Sequence, residues 1–465
     1  QFKNVFIIKI YNYQEYSMDD AISLSKQYAQ GITDPLQELE RACDVIQQVN
    51  DSTFISLSLE RAYREARAST ARWKAHVPLS LFDGIPITWK DLFDVQGTIT
   101  TAGSKTREHH AIAQHDADVV MQLTRMGMIN LGKTNLTEFA YSGLGLNPHF
   151  GTPKNVADPL CIPGGSSSGA ATSVGQKIVP ISMGTDTAGS IRIPASFNGL
   201  VGYRSSGSRY SKKGVFPLAA SLDSLGPISR SVRDCMVLDQ LLLEQYHANI
   251  PSVPKSKNIQ IHIDLKLLEH PNIQDAVKQN FIQTIEILQQ AEIQVVHQRI
   301  DAFDQAQTLI DSGQWLGAAE AYTLHEALLQ SNQAEFMDPR VRKRLLSAKN
   351  TLASSQIHLY QMAQHLKAKL KMELAEGFLL TPTTAHTAPE LASLESDEAL
   401  FTQINLKTLR LTMPGSYLDM PSISLPNGTD SNGRPTGILL SSYSGNDQSL
   451  LSAALAIEHI LNNTD

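Results

Sequence analysis

Residues 163 to 194 constrain this chain more than any other stretch. Pro163 to Ala170 read Pro-Gly-Gly-Ser-Ser-Ser-Gly-Ala, and Ile181 to Pro194 read Ile-Ser-Met-Gly-Thr-Asp-Thr-Ala-Gly-Ser-Ile-Arg-Ile-Pro. Two serine-bearing, glycine-rich loops thus flank a segment of mostly small residues. Glycine lets backbone N–H groups turn inward and approach a ligand closely. A run of such groups beside a hydroxyl is what acyl transfer needs: a nucleophile and an oxyanion hole in one loop. Gly-Gly-Ser-Ser-Ser-Gly alone reads as a flexible linker, but apolar and small residues flank it closely on both sides. Neither loop has the G-x-x-x-x-G-K-[ST] or G-x-G-x-x-G pattern of a phosphate cradle.

Composition narrows the setting. The 465 residues are 42% hydrophobic, enough for a substantial core, and the formal net charge of −7 gives no electrostatic case for nucleic acid or an anionic membrane. Cys43, Cys161 and Cys235 lie far apart in no metal-like spacing, which points to free thiols in a reducing compartment, the cytoplasm. No apolar run reaches the roughly 18 residues of a membrane span. Phe2 to Tyr13 is apolar but interrupted by Lys3 and Lys9, and no A-x-A site follows, so it makes a poor secretory signal. Ser17-Met18-Asp19-Asp20 reads as a capping box before a helix over Ala21 to Ala29. Residues 1–17 are therefore set aside as a leader or non-native extension, and 18–465 are read as one domain.

Two helices are expected over residues 20 to 75, broken near Gly31 to Pro35, the second long and mixed in charge. Gly84 to Trp89 reads as a short buried strand that ends on Lys90. Lysine is almost never fully buried unless paired, and a snorkelling side chain is the ordinary reading. A helix over 116–125, a strand over 128–131, a small-residue helix over 169–177 and a strand over 179–183 follow. Strands are expected at 258–264, 293–296, 378–383, 421–426 and 437–440. A helical stripe starts at Ile273, residues 302–372 are mainly helical, and 449–461 form the last helix. Strands on both sides of the helical segment favour one large α/β domain.

The motifs resemble the amidase signature family. The Gly-Gly-Ser-Ser loop and Gly-Thr-Asp-x-x-Gly-Ser-Ile-Arg-x-Pro carry the likeness, followed by Phe197 to Gly202 and by Ser221 to Asp234. Upstream, Asp83-Gly84-Ile85-Pro86-Ile87-Thr88-Trp89-Lys90-Asp91 is similar to the family's lysine segment. The resemblance implies an α/β fold with a single large mixed central β-sheet covered by helices on both faces. Its core spans about 80–236, with a variable helical substrate region over about 300–375. It implies Ser190 as nucleophile, Ser166 as bridging serine and Lys90 as base. The two serines stand 24 positions apart, the family's separation, which selects Ser166 over its neighbours. The family's bridging serine follows a cis peptide, here Gly165–Ser166. The N–H groups of Thr187, Ala188, Gly189 and Ser190 are the implied oxyanion hole, with Gly165, Ser167, Asp186 and Arg192 supporting it. Asp186 and Arg192 are expected to brace the loop as a charged pair. No metal or cofactor is implied.

Two departures stand out. Ala188 occupies a position where many members have Gly, which is tolerable if its φ is negative. Ser416 and Asp419 stand where the family commonly has Asn and Gly, and this segment is expected to border the acyl pocket. The leading function is a stand-alone amidase acting on a small-molecule amide, with homodimerisation left open. The nearest alternative is the glutaminase subunit of a tRNA-dependent amidotransferase; a non-catalytic binding protein on the same fold comes last. Arg342 or Arg344 would suit a substrate carboxylate, although a solvated helix face is the more ordinary reading for both.

Overall fold

The computed structural model describes residues 20–245 and 248–463; the leader reading for 1–17 lies outside them. The described residues build one mixed sheet of eleven strands. In chain order these are β1 (Phe54–Leu57), β2 (Pro86–Lys90), β3 (Ile129–Thr134), β4 (Ile181–Asp186), β5 (Val201–Arg204), β6 (Ser224–Ser229), β7 (Gln260–Ile263), β8 (Gln294–His297), β9 (Phe378–Pro382), β10 (Ser422–Thr429) and β11 (Pro435–Ser441). Across the sheet they run β1-β3-β2-β4-β6-β5-β10-β11-β9-β7-β8.

Side-chain alternation along the strands places helices on both faces. Ile87 and Trp89 of β2, with Ile181 and Met183 of β4, pack against helices Ala21–Gln30, Asp118–Arg125 and Val232–Leu242. On the opposite face, Ile129 and Leu131 of β3 meet helices Pro35–Val49, Leu59–Lys74 and Ser168–Gly175. The far end repeats the pattern within one strand. Phe378 and Leu380 of β9 join the core under helices Asp275–Gln290 and Asp447–Asn462, while Leu379 joins that under Asp301–Asp311 and Ala353–Leu374.

The N-terminal third corrects the two-helix expectation. Helix Pro35–Val49 stops at Asn50, whose φ of 41° is left-handed and whose N–H bonds to the Ile46 carbonyl. An Asp51 side chain then holds the Thr53 N–H at 2.9 Å. Phe54–Leu57 pairs antiparallel with β3, and helix Leu59–Lys74 follows. Asparagine tolerates the left-handed cap, and Phe-Ile suits a pleated edge better than a helix interior. At the other boundary Asp20 is the N-cap of the first helix, accepting the Ser23 N–H at 3.0 Å.

The site depends on three neighbouring strands. β2 runs parallel to both β3 and β4, with Ile87 opposite Ile181 and Trp89 opposite Met183. The C-terminal ends of β2 and β4 therefore emerge side by side, bringing Lys90 next to the Thr185–Asp186 end of β4. β6 closes the other side of β4 antiparallel, and Gly226 faces Gly184 there. A Cβ on Gly226 would overlap the Tyr203 carbonyl oxygen of β5. Gly226→Ala is expected to force β5 and β6 apart and lower stability by about 2–4 kcal/mol. Chemical denaturation of the purified variant checks this.

Candidate active site

Lys90 is wholly buried at the end of β2. Its Nζ donates to Ser166 Oγ at 2.7 Å and to Thr185 Oγ1 at 2.8 Å. Among the described residues no carboxylate pairs with it. The adjacent Asp91 turns instead to Lys133 of β3, forming a 2.7 Å ion pair in which both side chains are fully buried. Lys133 Nζ also donates to Thr100 Oγ1 at 2.9 Å, and the other Asp91 oxygen accepts the Thr101 N–H at 3.0 Å together with the Thr101 hydroxyl. Burial pulls the Lys90 ammonium down to about 7, against the weaker upward pull of the Asp186 and Asp223 charges. Lysine here can lose its proton near neutral pH.

Ser166 sits in the first glycine loop, after a Gly165–Ser166 peptide that is cis. The Gly165 N–H donates to the Gly143 carbonyl at 2.8 Å. A Cβ at Gly165 would lie 2.5 Å from the Gly145 nitrogen, so only glycine lets the two segments meet. The second loop lies against the first, since the Ser167 N–H donates to the Ser190 carbonyl at 3.1 Å and Ser167 Oγ to the Thr185 carbonyl at 3.3 Å.

The second loop is wound around one carboxylate. Asp186 binds Arg192 through two bonds, Nη2 to Oδ1 at 2.9 Å and Nε to Oδ2 at 3.0 Å. The same carboxylate accepts the Gly189 N–H at 2.9 Å and the Ile191 N–H at 3.1 Å. Burial would raise the Asp186 carboxyl, but the Arg192 and Arg204 guanidiniums and the Ile191 N–H bring it down to about 2. This geometry corrects the expected set of oxyanion donors, because Gly189 spends its N–H on Asp186. Thr187, Ala188 and Ser190 keep N–H groups with no partner among the described residues. Gly189 still needs to be glycine: its φ is +139°, and a Cβ would overlap the Thr412 hydroxyl. Ala188 is absent from the residues of positive φ, so it takes the place of a glycine without conflict.

Ser190 lines a narrow cleft with a free volume of only about 20 Å³. Its Oγ has no hydrogen-bond partner among the described residues, so Lys90–Ser166 is the one bond of the expected relay that is formed. The cleft wall also includes Tyr141, Thr187, Ala188, Trp315 and Arg344. Arg344 stacks its guanidinium over the Tyr141 ring at 4.6 Å and donates to the Tyr141 carbonyl at 2.9 Å. It therefore lies at the cleft and not on a solvated helix face. Ser416 and Asp419 lie outside the wall, contrary to expectation. Ser416 Oγ accepts from Arg192 at 2.7 Å, and Asp419, at a φ of 53°, holds the Gly207 N–H at 2.8 Å. Among the described residues no histidine lines the cleft. His149 pairs with Glu138 at 3.0 Å, and His109 and His110 border a separate surface groove with Lys105 and Phe336.

The amidase family model matches residues 37–451. The chain belongs to the amidase family. Its relatives include a glutamyl-tRNA(Gln) amidotransferase subunit from Trichodesmium erythraeum (strain IMS101), 28% identical over 95% of this chain and 98% of the relative. The 2-amino-5-chloromuconic acid deaminase of Comamonas testosteroni is 30% identical over 81% of this chain and 82% of its own length. A crystal structure of an amidase superposes with a TM-score of 0.83 at 30% identity, covering 95% of this chain and 99% of the other. This amidase is accordingly an amidohydrolase. No helix among its described residues is long and apolar enough to cross a membrane.

Several residues around the site escaped the sequence reading. Thr185 and Lys133 carried a faint signal, one inside the second loop and the other closing a buried strand as Lys90 does. Asp223, which accepts Thr187 Oγ1 at 2.5 Å and the Leu218 N–H at 2.9 Å, belongs to a recognised motif but had no role there. The Asp186 carboxyl titrates below the ordinary 3.8 in the folded chain. Its stabilising contribution is thus full above that value and is lost as pH falls toward about 2. Asp186→Asn is expected to remove this acid dependence and, by leaving the buried Arg192 guanidinium without its carboxylate and Arg204 with only Asp419, to cost about 3–5 kcal/mol. Denaturation midpoints of both proteins between pH 2 and pH 7 test it.

Proposed function

We propose that this amidase acts alone on a small carboxylic amide, R-CO-NH₂ or R-CO-NHR′, and hydrolyses it to acid and ammonia or amine through an acyl-enzyme at Ser190. The observation that carries this reading is Lys90: buried, without a carboxylate partner, and bonded to Ser166 behind the Ser190 loop. Neutral Lys90 draws a proton through Ser166 from Ser190, whose Oγ attacks the amide carbonyl. The Thr187, Ala188 and Ser190 N–H groups take up the oxyanion charge. The proton held by Lys90 returns through Ser166 to the leaving nitrogen, and water then releases the acid by the same relay. Gly165, Ser167, Asp186 and Arg192 hold the two loops in register. Free thiols at Cys43, Cys161 and Cys235 suit the cytoplasm.

Arg344 supports a finer assignment. It stands in the cleft wall with Ser190, and its Nε and Nη2 have no hydrogen-bond partner among the described residues. A carboxylate on the acyl side of the substrate would satisfy them. A second reading, the glutaminase subunit of an amidotransferase, draws support from the full-length match to the Trichodesmium erythraeum protein. Ammonia release from glutamine by the isolated chain, with and without a partner protein, separates the two. Labelling of Ser190 by a fluorophosphonate separates either from a non-catalytic binding protein.

Ser190→Ala is expected to leave the fold intact and cut kcat by several orders of magnitude; activity above about one per cent of wild type would refute the nucleophile. An unperturbed lysine, near 10.4, would leave only about one molecule in two thousand competent at pH 7. With Lys90 at about 7, kcat/KM should rise along an acid limb centred there and level off on the alkaline side. Lys90→Arg should not restore activity, because arginine stays protonated. Arg344→Ala should raise KM about 10- to 100-fold for carboxylate-bearing amides and leave neutral amides nearly unchanged. Steady-state kinetics on paired charged and neutral substrates decide that point.

A further inference from the structure

We propose that Thr412 is a positioning residue for the oxyanion hole: its hydroxyl fixes the Ala188–Gly189 peptide and so holds the direction of the flanking Ala188 and Ser190 N–H groups. This rests on the reading of Ser190 as the nucleophile and of those N–H groups as its oxyanion donors. Thr412 is fully buried and lies 224 positions after Ala188. Its Oγ1 is 2.6 Å from the Ala188 carbonyl oxygen and 3.0 Å from the Leu409 carbonyl oxygen. A hydroxyl has one hydrogen to donate, and the shorter contact takes it. Thr412 is also the N-cap of the short helix Met413–Tyr417, where a threonine side chain ordinarily accepts a backbone N–H of its own helix. Here it makes no such bond, and its hydroxyl is turned to the Ser190 loop instead.

The need for such a hold comes from Gly189. A residue without a Cβ lets the peptides on either side of it rotate with little steric resistance. The loop's carbonyls are therefore anchored from outside. The Asp186 carbonyl accepts from Arg204 Nη1 at 2.5 Å, the Gly189 carbonyl from the Ile193 N–H at 2.8 Å and the Ser190 carbonyl from the Ser167 N–H at 3.1 Å. The Ala188 carbonyl has Thr412. The Ala188–Gly189 peptide is thus held at both ends, its N–H by Asp186 at 2.9 Å and its oxygen by Thr412. The Ala188 N–H belongs to the peptide before this plane and the Ser190 N–H to the peptide after it. A tilt of the plane passes through ψ of Ala188 and φ of Gly189 to both donors. Oxyanion stabilisation depends on donors set at hydrogen-bond distance from the place where charge develops, so a small tilt lowers it.

The test compares the full chain with Thr412→Ala and Thr412→Ser, which differ from each other by a single oxygen atom, each first checked for folding by circular dichroism. Steady-state kinetics use whichever of acetamide, butyramide and benzamide the wild type turns over fastest, and a fluorophosphonate reports the reactivity of Ser190 without a substrate. Thr412→Ala should lower kcat about tenfold or more and leave KM within about threefold, because the oxyanion forms only in the transition state. Fluorophosphonate labelling should slow by a similar factor, since the phosphoryl oxygen uses the same N–H groups. The acid limb of kcat/KM should stay in place, because Thr412 touches neither Lys90 nor Ser166. Thr412→Ser restores the hydroxyl and should bring kcat back to within about threefold of wild type. A smaller loss in Thr412→Ala overturns the proposal, as does a serine variant no better than alanine, which would assign the effect to the missing methyl. A shifted acid limb overturns it too, and so does loss of fold in Thr412→Ala, which would make the residue a brace. Failure of the nucleophile assignment looks different: Ser190→Ala would keep substantial activity and wild-type Ser190 would go unlabelled.

Discussion

Everything at this site depends on a lysine that is buried without a counterion. Burying an ammonium is costly unless it is paired, and an unpaired one sheds its proton more readily. The surroundings of Lys90 keep it in that condition. It hydrogen-bonds to hydroxyls of Ser166 and Thr185, which solvate it without adding charge. The acidic side chains of β4 and of the β2 end are occupied elsewhere, Asp186 with Arg192 and Asp91 with Lys133.

The glycine loops solve a separate problem, which is proximity. Parallel β2 and β4 bring their ends out together, and the two loops must then pack against each other without side chains in the way. Gly165 permits the approach of Gly145, and Gly189 permits the approach of Thr412. Asp186 organises the second loop from within by gathering the N–H groups of Gly189 and Ile191, and this turns the remaining amides of Thr187, Ala188 and Ser190 to other uses. The carboxylate thus selects which backbone donors stay available.

Much of this was legible in the sequence because the information is local. A lysine ending an apolar strand, the two glycine-serine loops and an Asp186–Arg192 pair six residues apart all lie within short windows; the mixed sheet came from the family resemblance those motifs carry. What escaped depends on distant contacts. The Asp91–Lys133 pair joins neighbouring strands 42 positions apart, a partnership that no periodicity reveals. Arg344 sits on a polar helix whose pattern alone reads as solvated, and only the packing of Tyr141 against it shows where it points. Ser416 looked like a pocket residue because its neighbourhood departs from the family pattern; its hydroxyl is consumed by Arg192. Phe54–Leu57 was hidden inside a helix-rich stretch, because four residues are too few to overrule the surrounding periodicity.

The bond between Arg192 and Ser416, with the contact of Thr412 to the Ala188 carbonyl, ties the second glycine loop to a segment more than two hundred residues downstream. Beside it, β10 and β11 fill the gap in the sheet between β5 and β9. During synthesis the ribosome therefore releases the loop bearing Ser190 long before the residues that buttress it exist. A nascent chain holds the Ser190 loop in an unfinished setting until residues 412 to 441 have emerged. The framed loop is then a property of the folded polypeptide, and a chain cut short before residue 412 carries the two glycine-serine loops without the segment that buttresses them.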